Sequence, residues 1–317
     1  MHILFFSKKA GLESITYNLK NMNDIWKMGL EHIYVVQKIQ SPFMDIFFKI
    51  FSSFGEEPFY LIVCPAILWC FDYMFAVRLT MVFMFSVYFN TILKDLLKLP
   101  RPADITVNIS RIKVKGYGFP SGHSQTSLVV WWLLADKFKK NWFWLITIII
   151  LLMIGFSRIY LGVHFIYDIF GGWIVGAVLL VLYFGFSDSI EKWLKSLKIN
   201  IQLILAVIFP LGFALINPVK EVVGAMAAMS GAAIGLIFTF NHLNYSADGN
   251  YMQKLLRFIV GLIITGIIYG GLKHIFHHEE SNLYMLFCYI RYAILGFWFS
   301  CGAPWFFQKI KIAKIRC

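Results

Sequence analysis

The stretch that decides the fold runs from residue 141 to residue 186: NWFWLITIIILLMIGFSRIYLGVHFIYDIFGGWIVGAVLLVLYFGF. Its two apolar runs, residues 141–157 and 164–185, approach the roughly 20 residues that an α-helix needs to cross a bilayer. At their junction stand Arg158, His164 and Asp168. Ionisable groups are costly at membrane depth, so three of them together mark a functional site. His164 and Asp168 are four residues apart and share one face of a helix. A carboxylate so placed can accept the ring N–H, fix the tautomer and leave the other nitrogen free to attack.

Composition extends this reading to the whole chain. Of 317 residues, 59% are hydrophobic and 15% charged, with a mean hydropathy of +0.69, which places the protein in a membrane. Runs of sufficient length predict an all-α polytopic bundle of about nine spans, near residues 58–75, 76–94, 121–137, 141–157, 164–185, 201–218, 221–240, 256–273 and 283–307. Residues 1–57 mix charges with apolar residues at helical spacing and read as an interfacial amphipathic region. Residues 58–186 form a core, and residues 187–317 a C-terminal transmembrane extension. The N-terminus lacks the apolar core and cleavage site of a signal peptide, so insertion is expected to rely on the first span. The net charge of +12 is spread between the spans and at the chain ends, not on one basic face, which argues against nucleic acid as a partner. Cys64, Cys70, Cys288, Cys301 and Cys317 show neither disulfide nor zinc spacing and read as packing residues.

Two more polar islands sit at the edges of apolar runs: Lys94-Asp95-Leu96-Leu97-Lys98-Leu99-Pro100-Arg101-Pro102, and Pro120-Ser121-Gly122-His123. With these spans, all three islands fall on one side of the membrane. The opposite side receives Arg78, Lys137, Lys139, Lys140, Lys192, Lys195, Lys198, Lys254, Arg257 and the C-terminal cations, so the positive-inside rule makes it cytoplasmic. The site is then expected to face outward from a plasma (inner) membrane.

Taken in order, Lys94 with Arg101, Ser121-Gly122-His123, and Arg158 with His164 and Asp168 resemble the three signature motifs of the type 2 phosphatidic acid phosphatase superfamily. The likeness is to a bacterial-type member with a C-terminal multi-span extension. Every motif position and gap is present across the middle third of the chain. The resemblance implies a membrane phosphatase that hydrolyses a lipid phosphate monoester or pyrophosphate through a phosphohistidine. It further implies that His164 is the nucleophile, Asp168 its orienting partner and His123 the general acid. Lys94, Arg101, Arg158, the Ser121 hydroxyl and the Gly122 N–H would bind phosphate, with no metal or other cofactor. The context of residues 117–123 and 157–164 is similar to that of sphingoid-phosphate and isoprenoid-pyrophosphate phosphatases.

The residue chemistry agrees with this. Guanidinium groups can grip two phosphate oxygens at once, and a helix N-terminus at Ser121 favours an anion. Alternatives stay open: a lipid phosphotransferase using the same intermediate, a soluble sugar-phosphate phosphatase, or a lipid transporter or scramblase using the extra spans. Four features lie outside the motifs. Residues 273–280, KHIFHHEE, have metal-like composition without ligand spacing and read as a solvated loop. Glu56-Glu57 could border the site or be a surface pair. Arg291 could hold a lipid headgroup or pair within the bundle. The four-residue spacing of Gly172 with Gly176, and of Ala227, Gly231 and Gly235, lets helices approach closely, either within the chain or in a homodimer.

Overall fold

The computed structural model describes residues 24–106, 108–276 and 283–315. In chain order the helices are α1 (Asp24–Gln37), α2 (Pro42–Ser53), α3 (Glu57–Cys70), α4 (Tyr73–Leu97), the short α5 (Pro102–Ile105), α6 (Gly122–Phe138), α7 (Asn141–Tyr160), α8 (Ile166–Ser196), α9 (Ile199–Ile216) and α10 (Lys220–Phe238). A π-helical turn, Thr239–Leu243, ends α10; α11 (Tyr251–Ile275), α12 (Tyr284–Phe297), a second π turn at Trp298–Gly302 and α13 (Ala303–Lys309) follow. Two-residue strands, Tyr245–Ser246 and Lys314–Ile315, pair antiparallel.

Seven of these segments are long and apolar enough to cross a membrane: Tyr73–Ile105, Asn141–Tyr160, Ile166–Ser196, Ile199–Ile216, Lys220–Leu243, Tyr251–Ile275 and Tyr284–Lys309. The other two of the nine expected spans fall on shorter helices. The first, α3, has 14 residues and stops at Cys70, since Asp72 turns the chain and accepts the Phe75 N–H to start α4. The second, α6, has 17 residues and begins where Ser121 accepts the Ser124 N–H. Side-chain capping of this kind satisfies N–H groups that the helix itself leaves open.

The bundle has two halves joined at α4. In the first, α6 packs against α4, α7 and α8 around Leu79, Val129, Val130, Leu133 and Leu151. In the second, α10 packs against α4, α9 and α12. Both glycine series serve contacts within the chain. A Cβ at Gly172 would lie 2.5 Å from the Ser121 carbonyl oxygen and one at Gly176 3.0 Å from that of Gln125, so α8 can approach α6 only without side chains there. Gly231 and Gly235 do the same for α10 against Ala293 and Ser300.

The N-terminal helices α1 and α2 pack on the third-motif turn. Leu30 and Ile33 are buried with Phe165 and Ile169, and Phe48 with Tyr160, Leu161 and Val163. Gln37 donates its amide to the carbonyls of Ile109 and Tyr160, both at 2.9 Å. Arg291 is buried in the bundle, 5.0 Å from the Tyr292 ring centroid and 5.9 Å from that of Tyr269. Lys273 and His274 belong to the last turn of α11, so they are helical; His277, His278, Glu279 and Glu280 lie outside the described residues. Cys64, Cys70, Cys288 and Cys301 are free thiols, the first three buried; Cys317 is outside the described residues.

Candidate active site

Each motif occupies a helix end at the same end of the bundle. Lys94 lies in the last turn of α4, after which Lys98 takes a left-handed conformation and the chain turns through Pro100 to Arg101. Ser121-Gly122-His123 opens α6, and Arg158 closes α7, one tight turn before His164 and the start of α8. Backbone hydrogen bonds lock the three loops together. Gly118 donates to the Leu99 carbonyl at 2.8 Å, tying the second loop to the first. Ser121 donates to the Asp168 carbonyl at 2.9 Å, tying it to the third. Gly118 permits this closeness, because a Cβ there would meet the Pro100 carbonyl oxygen at 2.7 Å.

At the centre, His164 is 1% exposed and held on both sides. Its Nδ1 lies 3.2 Å from Asp168 Oδ2, which also accepts the Phe165 N–H at 2.9 Å. Its Nε2 lies 3.1 Å from Arg101 Nη1. Arginine can only donate, so Nε2 is the acceptor and the ring proton sits on Nδ1, facing the carboxylate. Burial first, then the charges of Arg101, Arg158 and Lys94, hold the His164 pKa well below the ordinary histidine value. The ring is therefore neutral near pH 7, with its Nε2 lone pair facing Arg101.

Those cations are fixed by the protein. Arg101 is buried and donates from Nε to the Gly116 carbonyl at 2.7 Å and from Nη1 to that of Val163 at 3.1 Å. Arg158, 1% exposed, donates from Nη1 to the Ser52 hydroxyl at 2.5 Å. Its Nε and the Nε2 of His123 are buried without a hydrogen-bond partner among the described residues. Unmet buried donors beside arginines call for an anion, since leaving them unpaired is costly. Ser121 is fully buried and its hydroxyl accepts from the Ser124 N–H and hydroxyl, so it caps α6. Among the described residues no group of His, Cys, Asp or Glu side chains could hold a metal ion.

Two family models match the sequence: "PAP2 superfamily" over residues 75–191 and "PAP2 superfamily phosphatase, transmembrane extension" over residues 223–315. The chain belongs to the PAP2 superfamily. It is 24% identical over 282 residues to a dihydrosphingosine 1-phosphate phosphatase of Schizosaccharomyces pombe, covering 80% of this chain and 68% of that protein. It is 25% identical to sphingosine-1-phosphate phosphatase 2 of Mus musculus, covering 68% of this chain and 62% of that one. The crystal structure of a transmembrane PAP2-type phosphatidylglycerolphosphate phosphatase from Bacillus subtilis is similar with a TM-score of 0.46 at 23% identity, over 57% of this chain and 96% of that one.

Several residues around this PAP2 centre are absent from the motifs. Asn90 donates to the Pro120 carbonyl at 3.2 Å and to Gln125 Oε1 at 2.9 Å, while Gln125 donates to the carbonyl and hydroxyl of Ser86. This buried ladder fixes the second motif's turn against α4, and its sequence signal is polar residues inside an apolar run. From the N-terminal helices come Ser52, on Arg158, and Glu56, whose Oε1 lies 3.9 Å from His123 Nε2. Glu56 is thus at the site, whereas its neighbour Glu57 starts α3 and is exposed.

Proposed function

We propose that this PAP2-superfamily membrane lipid phosphatase releases inorganic phosphate from a lipid phosphate monoester or pyrophosphate, with sphingoid-base phosphates foremost, through a phosphohistidine on His164 and without a metal. The observation that carries this reading is the chain Arg101–His164–Asp168, with a neutral imidazole held between a fixed cation at 3.1 Å and a carboxylate at 3.2 Å. In the first step Nε2 of His164 attacks phosphorus while Asp168 takes the positive charge growing on the ring. The P–O bond breaks and His123 gives its proton to the departing alkoxide. Arg101, Arg158, Lys94 and the N-terminus of α6 face the phosphoryl oxygens and stabilise their charge. In the second step water attacks phosphorus, its proton passes to His123 and the P–N bond breaks, restoring both histidines.

The relatives' names support sphingoid-base phosphates as substrate class. A lipid substrate suits a site at the helix ends, where the tail can stay in the bilayer. The extension is itself a recurring part of PAP2 phosphatases, so the spans after α8 require no separate transport activity. The division into residues 1–57, 58–186 and 187–317, and a site facing outward from a plasma membrane, follow from the distribution of apolar runs and cations in the sequence.

The test is phosphate release by the purified protein from sphingoid-base phosphates, phosphatidate and isoprenoid pyrophosphates, in water enriched with heavy oxygen and with chelator present. One heavy oxygen per released phosphate and complete loss in His164→Ala are expected. Phosphate without label refutes hydrolysis in favour of phosphotransfer, loss of activity with chelator refutes the metal-free mechanism, and a His164→Ala variant that still releases phosphate refutes the nucleophile.

A further inference from the structure

We propose that Glu56, at the turn between α2 and α3, is the positioning residue of His123: it holds the ring and offsets the neighbouring cations that disfavour its protonated form, the form that works as general acid. This rests on the hydrolytic reading above, and it lies outside the residues the PAP2 models match. Three contacts bring the turn onto the site. Glu56 Oε1 lies 3.9 Å from His123 Nε2. A Cβ at Gly55 would lie 3.1 Å from the Cδ2 atom of the same ring, so the glycine allows the turn to rest on it. Ser52 donates to Glu56 Oε1 at 3.5 Å and accepts from Arg158 Nη1, linking the carboxylate to a phosphate-facing cation.

The physical need is plain from the charges that face His123. Burial first, then Arg158 from α7 and Lys94 from α4, favour the neutral ring and pull its pKa below the ordinary histidine value. A neutral ring keeps one N–H but is a far weaker acid than the charged ring, and an alkoxide is a strongly basic leaving group. Among the described residues whose effect on His123 is largest, Glu56 is the carboxylate that opposes these cations. The reciprocal effect is seen on Glu56 itself, whose pKa falls below the ordinary carboxylate value, chiefly through the nearby His123 ring. The proton is handed to the alkoxide as the P–O bond breaks, and the water of the second step returns one to His123. Glu56 stays ionised throughout and exchanges no proton.

The experiment compares kcat/KM on two substrates that differ in leaving group: a long-chain alkyl phosphate, whose alkoxide needs a proton, and para-nitrophenyl phosphate, whose phenolate leaves without one. Glu56→Gln is expected to lose about twentyfold on the alkyl phosphate and about twofold on the aryl one, less than the roughly 10²–10⁴ that a general acid itself contributes, because Glu56 acts through His123. The alkaline limb of the alkyl profile should move about one pH unit lower, because removing the carboxylate makes His123 lose its proton sooner. Glu56→Asp should recover part of both effects. In a His123→Ala background, Glu56→Gln should cost nothing further, since the two act as one unit. Equal losses on both substrates, an unmoved alkaline limb, or full additivity with His123→Ala overturn the proposal. Failure of the hydrolytic reading looks different: wild-type protein would release phosphate from neither substrate, or His164→Ala would still release it.

Discussion

Replacing Asp168 by asparagine isolates the charge behind His164, the proposed nucleophile. The side chain is fully buried, and its Oδ2 serves the His164 ring at 3.2 Å and the Phe165 N–H at 2.9 Å. Asparagine keeps the shape, and its carbonyl can still accept one of these bonds. What disappears is the negative charge facing the imidazolium that forms as Nε2 bonds to phosphorus. Two unit charges about 4 Å apart interact by about 4 kcal/mol at an effective dielectric near 20. At about 1.4 kcal/mol per tenfold, that predicts a loss of about 10³ in the rate of phosphoenzyme formation. The buried position leaves little solvent to screen the pair, so the figure needs no large discount. The assay is single-turnover phosphate transfer from labelled lipid phosphate, with acid-labile phosphohistidine trapped on the protein, alongside thermal unfolding in detergent. An Asp168→Asn protein that melts like the wild type yet phosphorylates within tenfold of its rate refutes the charge argument. A protein that fails to melt cooperatively points instead to the Phe165 bond and the start of α8.

Two other outcomes follow from the same geometry. His164 is pulled below the ordinary value of 6.5 by burial and by Arg101, Arg158 and Lys94, and since lowering favours the neutral form, the ring stays neutral through pH 7 and protonates only as pH falls further. Histidine NMR, with the His164 signal assigned by its absence in His164→Ala, should show a midpoint under 6.5, and a midpoint at or above it refutes the cation cluster's effect. Gly172→Ala puts a methyl group 2.5 Å from the Ser121 carbonyl oxygen and 3.1 Å from the Ser124 Cβ, which should destabilise the bundle by about 1–3 kcal/mol and displace the second motif. Gly185 on the same helix faces open space, so Gly185→Ala should melt no lower than the wild type; equal melting of both variants refutes the packing role of Gly172.

How much of this could be read from sequence depends on where the constraint on each residue acts. The three motifs were legible because they set particular side chains at fixed local spacings, although His164 and Asp168, expected on one helix face, meet across the start of α8, with His164 ahead of the helix. The polar ladder left a fainter trace. Ser86, Asn90 and Gln125 stand in apolar runs, where polar groups need partners, but which carbonyl each would meet depends on packing. Span boundaries were less legible, for a local reason: a hydropathy window runs across Phe71 and Asp72, whereas one helix stops at Cys70 and the Asp72 cap starts the next. The contribution of α1 and α2 was the hardest to see. Their apolar spacing fits a helix on a membrane surface as well as a helix on another helix. The difference lies in contacts such as Gln37 with Tyr160 and Ser52 with Arg158, which join residues more than a hundred positions apart. Glu56 and Glu57 make the point at its smallest. Adjacent and chemically alike, they differ only in direction, because Glu57 begins a helix while Glu56 is left on the turn that rests against His123. A sequence can name the groups that perform a reaction well before it shows which distant segment will hold them in place.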